Sequence, residues 1–300
     1  MRHRGTRPMN TKDTTVRIPI EQPYDAASLM TFFRQRAIRG VEHIDGLAYR
    51  RSVVQNGEIG WLGVEFESEH GYLTVSIDNA RTDDPHALQE RVAGMFDTHP
   101  NASELERCLG ADRRLAGLGM RGMRVPGAWD PFELGVRAIL GQQVTVSAAR
   151  TLASRLCEKF GGQAPPAEWA QPLRTFPDPK SLADADIASI GLPRRRAETV
   201  RSFARAIATG RIDFQTRRGR REAPANLLGI PGIGQWTVGY ITMRALKDPD
   251  AFPTADIALI RAAQRLGIAD DALSLERASE RWRPWRAYAA VRLWTSLSAK

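Results

Sequence analysis

Cysteine and lysine are both scarce in this chain. Only Cys108 and Cys157 occur among 300 residues, too few for a four-thiolate zinc or iron–sulfur site or for a disulfide framework. A reducing, cytoplasmic setting is the expectation. Cys157 falls in an apolar helical stretch, where a buried inert thiol is expected. Long apolar runs are missing too. The longest uncharged stretch, Ala223–Met243, has the length of a bilayer span but contains Pro224, Asn226, Pro231, Gln235 and four glycines, which excludes a membrane helix. The opening Met1-Arg-His-Arg-Gly-Thr-Arg7 is basic with no apolar stretch behind it, so it is not a secretory signal. With 42% hydrophobic, 26% charged and 7% aromatic residues, the chain also falls outside the disordered and collagen-like classes.

What is abundant is arginine. Five of the 43 basic residues are lysine, and 34 acidic residues leave a net charge of +9. Guanidinium forks match phosphate oxygens, and the positive balance favours an anionic partner. Three hundred residues suffice for two or three domains.

Residues 1–13 read as a loose basic tail. From Val16 to about Asn79 the pattern is mainly β. Asn56-Gly57 and His70-Gly71 mark turns, and Leu73, Val75 and Ile77 alternate with polar residues, which predicts an antiparallel meander. Helices over 26–39 and 85–96 pack on it. Beyond Asn101 the pattern is helical. Asp130-Pro-Phe-Glu133 combines a capping aspartate, a first-turn proline and a glutamate at the reciprocal capping position, opening a helix through Leu140. Further helices are predicted over 144–160, 181–190 and 194–209, with a Pro-rich loop at 164–179.

Leu227-Leu-Gly-Ile-Pro-Gly-Ile-Gly-Gln-Trp-Thr-Val238 places Gly229, Gly232 and Gly234 in a tight connection between two apolar stretches. Such glycines allow close backbone approach to a ligand, and the amides opening the second helix can receive an anion. An ordinary helix–helix turn has the same pattern. A dinucleotide fingerprint or a P-loop does not fit, because no strand precedes the glycines and no Gly-Lys-Ser/Thr follows. Asp256 falls in the first turn of a helix opened by Thr254, where the macrodipole favours an ionised carboxylate. Capping alone would account for it. Asp248 and Asp250, in a Pro-interrupted turn, are expected to be solvated, and Trp282 and Trp285 to be core residues. The clusters Arg194–Arg196 and Arg217, Arg218, Arg220, Arg221 suit either phosphate contact or a solvated face.

Leu228–Val238 resembles the helix–hairpin–helix of a DNA glycosylase superfamily that pairs this motif with a Gly/Pro-rich loop and an aspartate. Asp130-Pro-Phe-Glu-Leu-Gly-Val-Arg-Ala-Ile-Leu-Gly-Gln142, Pro231-Gly-Ile-Gly-Gln-Trp-Thr237 and Pro284-Trp-Arg-Ala-Tyr288 through Trp294 follow in the order expected for the bacterial DNA-3-methyladenine glycosylase II family. The likeness runs from about Thr15 to Trp294 and is weaker in the N-terminal region. It implies an α+β N-terminal domain with a small antiparallel sheet (14–106), a helical domain carrying the catalytic aspartate (107–130 plus 249–300), and a helical domain containing the hairpin (131–248). The implied activity is monofunctional hydrolysis of the N-glycosidic bond of alkylated bases, of the 3-methyladenine and 7-methylguanine type. The base would be flipped out of duplex DNA by a cytoplasmic monomer needing no cofactor, as the first step of base excision repair.

Residue by residue, the resemblance makes Asp256 the catalytic carboxylate. It assigns the base pocket to Trp236, Tyr240, Trp294 and Ile257, the last where the best-known member has a tyrosine. Gln143 becomes the wedge, where that member has a leucine. Gly229, Gly232, Gly234 and Gln235 form the phosphate-binding hairpin, with a structural Na+ or K+ on the carbonyls of Leu228, Ile230 and Gly232. The chemistry is coherent. Cleavage builds positive charge on the sugar, which a fixed carboxylate can stabilise while orienting water. A lyase needs an amine nucleophile, and Trp236 stands where related bifunctional enzymes have lysine. An aromatic pocket holds a flipped base and attracts a cationic alkylated purine. The competing readings are a non-catalytic helix–hairpin–helix module, which would bind DNA regardless of damage, and a glycosylase for oxidised or deaminated bases.

Overall fold

The computed structural model describes residues 14–67, 70–78, 84–167 and 173–297. The expected tail at 1–13 and the middle of the loop at 164–179 lie outside the described residues. Five strands form one antiparallel sheet: β1 (Thr14–Pro19), β2 (Glu42–Asp45), β3 (Ala48–Gln55), β4 (Glu58–Glu67) and β5 (Tyr72–Asp78), in the order β1-β5-β4-β3-β2. Strands β2 to β5 are the expected meander, and β1 adds itself at the β5 edge. The β3–β4 register follows from its turn. Gln55 pairs with Glu58 across Asn56 (φ 51°) and Gly57 (φ 77°), the left-handed pair that a two-residue hairpin requires.

Alternation decides the sheet's faces. Leu73, Val75 and Ile77 of β5 are fully buried against Leu29, Met30 and Phe33 of α1 (Ala26–Arg36) and Leu88, Val92, Met95 and Phe96 of α2 (Pro85–Phe96). Helix α1 stops at Arg36, three residues before the expected end, because Ala37 turns extended (ψ 130°) and its amide closes on Arg34.

The remainder is helical: α3 (Ala102–Gly110), α4 (Arg113–Ala116), α5 (Pro131–Leu140), α6 (Val146–Phe160), α7 (Pro179–Ala183), α8 (Arg194–Ala208), α9 (Arg217–Leu228), α10 (Gln235–Arg244), α11 (Ile257–Arg265), α12 (Ala272–Ser279) and α13 (Arg286–Ser296). An α+β domain followed by a helical region is therefore the observed fold class. One apolar cluster joins α5, α6, α8 and α10 through Val136, Ile139, Leu156, Val200, Phe203 and Ile241. Helices α5 and α8 approach closely, since a Cβ on Gly135 would lie 2.4 Å from the Phe203 ring. A second cluster joins α3, α4, α11 and α13 around Trp282, with Trp285 at its edge, so both tryptophans are core residues as expected. Cys157 is fully buried, and burial pushes its thiol well above the ordinary value.

Local competition moves several expected boundaries. Helix α6 starts at Val146, since Gln143 is left-handed (φ 56°) and the Thr145 hydroxyl caps Ala148. The stretch 181–190 splits into α7, capped by Asp178, and a short 3-10 turn at Ile187–Ile190. Asp130 caps α5 at 2.7 Å from the Glu133 amide. Glu133 does not reciprocate, because its carboxylate pairs with Arg51 at 2.6 Å and Arg137 at 2.9 Å. Asp250 is likewise not merely solvated but ion-paired to Arg283 and Arg286.

Candidate active site

Gly232 is the conformational centre of the hairpin between α9 and α10. Its φ is +92°, and a Cβ there would lie 2.2 Å from the Thr199 hydroxyl, so only glycine fits. Two side chains lock the turn from outside. Thr199 donates to the Pro231 carbonyl at 3.0 Å, and Gln142 Nε2 donates to the Gly232 carbonyl at 2.9 Å and to the Thr237 hydroxyl at 3.0 Å.

Gly234 then caps α10 with no side chain satisfying the first-turn amides, and the position its Cβ would take is open. Helix N-termini with unpaired amides and unobstructed access receive anions. Gln235 is exposed in that first turn. Gly229 plays a lesser part than expected: it closes α9 in right-handed conformation, and its amide turns back on Leu227, so it supplies the turn rather than a free donor. Arg217, Arg218, Arg220 and Arg221 line the exposed face of α9.

Asp256 is the N-cap of α11 itself, not a residue of a helix opened by Thr254. Its Oδ1 accepts from the Leu259 amide at 2.9 Å, and this bond decides where the helix begins. The carboxylate has two further donors. Trp236 Nε1 reaches Oδ2 at 2.7 Å and Trp294 Nε1 reaches Oδ1 at 3.2 Å. These neutral donors orient the group without cancelling its charge, at a helix end that favours an anion. Trp236 stacks on Tyr240 at 5.5 Å and 15°, and Tyr240 meets Trp294 at 6.3 Å and 60°. The helical spacing put Trp236 and Tyr240 on one face, and α13 delivers Trp294 opposite.

The structure thus brings together Asp256, Trp236, Tyr240 and Trp294. Ile257, next to Asp256 at the start of α11, is 66% exposed. Gln143 is exposed at the tip of the α5–α6 turn.

Sequence reasoning missed the two indole bonds to Asp256, the Gln142 clamp, and a pair of arginines behind Tyr240. Arg244 Nη1 donates to the Tyr240 hydroxyl at 2.5 Å, and Arg36 comes up to the same hydroxyl from α1. Burial pushes the Tyr240 phenol up, but these two guanidiniums outweigh it and hold it below its ordinary value. The i, i+4 spacing of Tyr240 and Arg244 was a usable signal; Arg36, some two hundred residues earlier in the chain, gave none.

Residues 136–287 match the profile of the HhH-GPD superfamily of base excision DNA repair proteins, and residues 15–130 match the AlkA N-terminal domain. The chain belongs to the HhH-GPD superfamily. Among HhH-GPD relatives, the DNA-3-methyladenine glycosylase 2 of Escherichia coli is 30% identical over 277 residues, covering 91% of this chain and 94% of that protein. A probable bifunctional transcriptional activator/DNA repair enzyme AlkA of Mycobacterium tuberculosis is 32% identical over 285 residues, 94% of this chain. The chain spans 57% of that relative's length. The fold is shared with a solved 3-methyladenine DNA glycosylase of Archaeoglobus fulgidus, at TM-score 0.77 and 23% identity, covering 93% of this chain and 97% of the other.

Proposed function

We propose that this chain is a monofunctional DNA glycosylase that releases alkylated purines from duplex DNA. The observation that carries the reading is the Asp256 carboxylate, fixed by a helix amide and by two indoles that form an aromatic group with Tyr240. The E. coli relative's name supports alkylated bases as substrates. A flipped purine enters between aromatic faces, and Asp256 stabilises the positive charge that builds on the deoxyribose and orients water toward C1′. The hairpin and the α10 amides hold a backbone phosphate, and Gln143 enters the gap left by the flipped base.

Trp236 offers no amine for a lyase step. Lys247, three residues beyond α10, packs its Nζ against Gly94 of α2 instead. A monovalent cation at the hairpin would use the carbonyls of Leu228, Ile230 and Gly232. The Gly232 carbonyl already accepts from Gln142, and that of Ile230 from the Ile233 amide at 3.0 Å, which leaves each one lone pair for such an ion.

The test is release of 3-methyladenine and 7-methylguanine from methylated duplex. Wild type is expected to release both, and Asp256→Asn, which preserves the cap, to be slower by about a hundredfold or more. An inactive wild type, or an equally active Asp256→Asn, would refute the assignment.

A further inference from the structure

Behind the pocket lies positive charge that the chemistry above leaves unused. Arg244 is 6% exposed. Besides the Tyr240 hydroxyl, its partners among the described residues are the backbone carbonyls of Pro126 and Gly127, at 2.6 and 2.9 Å. Arg36 lies over the Phe32 ring at 3.7 Å, and its own carbonyl is held by Arg137 Nη2 at 2.5 Å, which fixes the end of α1. The nearby carboxylates are committed elsewhere: Glu133 to Arg51 and Arg137, and Glu42 to Arg137. Among the described residues neither Arg36 nor Arg244 has a carboxylate at ion-pair distance. Two guanidiniums therefore stand on the Tyr240 side without an ion-pair partner of their own among the described residues, with Asp256 held by the indoles on the other.

We propose that Arg36 and Arg244 bias this pocket toward neutral purine lesions, and that the N-terminal domain takes part in lesion choice through Arg36. The inference rests on the glycosylase reading above. Hypoxanthine is neutral and 7-methylguanine carries a ring cation, so the two differ by one unit of charge at every stage from entry to bond breaking. In both cases the electron pair of the bond moves onto the base, and a positive potential assists that departure. Only the cationic base must first approach like charge. The aromatic faces attract that cation; the guanidiniums oppose the attraction and bring the two lesions closer in reactivity.

The ratio of kcat/KM on hypoxanthine duplex to that on 7-methylguanine duplex reads this potential directly. Arg36 is partly exposed, so Arg36→Met and Arg36→Lys are expected to fold, with melting temperatures as the check. A unit charge at roughly 10 Å, through an effective dielectric of about 20, shifts such a ratio by about tenfold. Arg36→Met is expected to lower the ratio by that factor, and Arg36→Lys to keep it within about threefold of wild type. An unchanged ratio in Arg36→Met, an equal fall in both variants, or a wild type that releases 7-methylguanine but no hypoxanthine would overturn the proposal. A wild type inert on both lesions would instead refute the glycosylase reading beneath it.

Discussion

Replacing Glu133 by glutamine should cost more stability than any single change at Asp256. Glu133 is 4% exposed and accepts from Arg51 at 2.6 Å and Arg137 at 2.9 Å, while Arg137 also holds Glu42 at 2.9 Å. The amide of Glu133→Gln turns a donor toward one of the two guanidiniums, and it removes the only carboxylate paired with the buried Arg51 among the described residues and one of the two paired with Arg137. Breaking one partner of a buried pair costs about 3–5 kcal/mol. At roughly 2–4 °C per kcal/mol for a chain of this size class, melting should fall by roughly 10 °C. Calorimetry or circular dichroism measures it. The double variant Arg51→Met/Glu133→Leu should recover at least half of the loss, because an apolar pair has no charge to desolvate. A Glu133→Gln melting temperature within about 2 °C of wild type, or a double variant worse than the single one, would refute the reasoning.

The same network sets a pH dependence. Burial pushes Glu42 up, but Arg137, Arg51 and the donors from Tyr49 and Ile38 outweigh it and hold the carboxyl below its ordinary 4.5. A carboxyl lowered in the folded state contributes fully above its unfolded value and loses that contribution as pH falls through the folded one. Wild type should therefore lose stability below about pH 4.5, with a flatter slope in Glu42→Gln, which is already destabilised at pH 7.

Gly232→Ala forces a left-handed alanine against Thr199 and should cost about 2 kcal/mol of stability, with weaker salt-sensitive binding to undamaged duplex; unchanged melting and binding would discount the hairpin geometry. Gln142→Leu removes the donor to Gly232 and Thr237 at a half-exposed position, so melting should hold while kcat/KM falls about fivefold, the equivalent of a net hydrogen bond near 1 kcal/mol. Equal activity would show that the clamp does not matter. Burial holds the Asp97 carboxyl above its ordinary value, against its bonds from the Val125 amide and the Tyr288 hydroxyl. A raised acid contributes fully below its unfolded value and less as pH rises through the folded one. Asp97→Asn, which suits the αL position (φ 52°) and can accept from Val125 while donating to Tyr288, should match or exceed wild type in melting temperature at pH 7 and lose that advantage toward pH 4.

The parts of this molecule readable from sequence are those decided within a few residues. Leu73, Val75 and Ile77 announce their buried face by alternation, Asn56-Gly57 its hairpin, and Asp130-Pro131 its helix start. The expected reciprocal cap at Glu133 fails for an instructive reason. A carboxylate within reach of its own N-cap amide also lies within reach of Arg51, from β3, and a buried guanidinium left unpaired would cost more than the helix gains from that cap. No local pattern contains that comparison. Arg36 and Tyr240 illustrate the same limit, since their meeting depends on how α1 docks against α10.

Asp256 shows how a local reading can be right and incomplete together. Capping and chemistry looked like alternatives, yet under the proposed function they fall to different parts of one group. Oδ1 spends a lone pair on Leu259 and so decides where α11 begins, which fixes the carboxylate in space. The indoles of Trp236 and Trp294 then set its rotation. All three donors are neutral, so they position the group without an opposing charge, as the proposed stabilisation of a developing cation requires. Asparagine could cap as well and serine nearly so, but neither could supply that charge. Under the proposed function the cap is therefore the means by which the fold aims the carboxylate, and the two readings are parts of one mechanism.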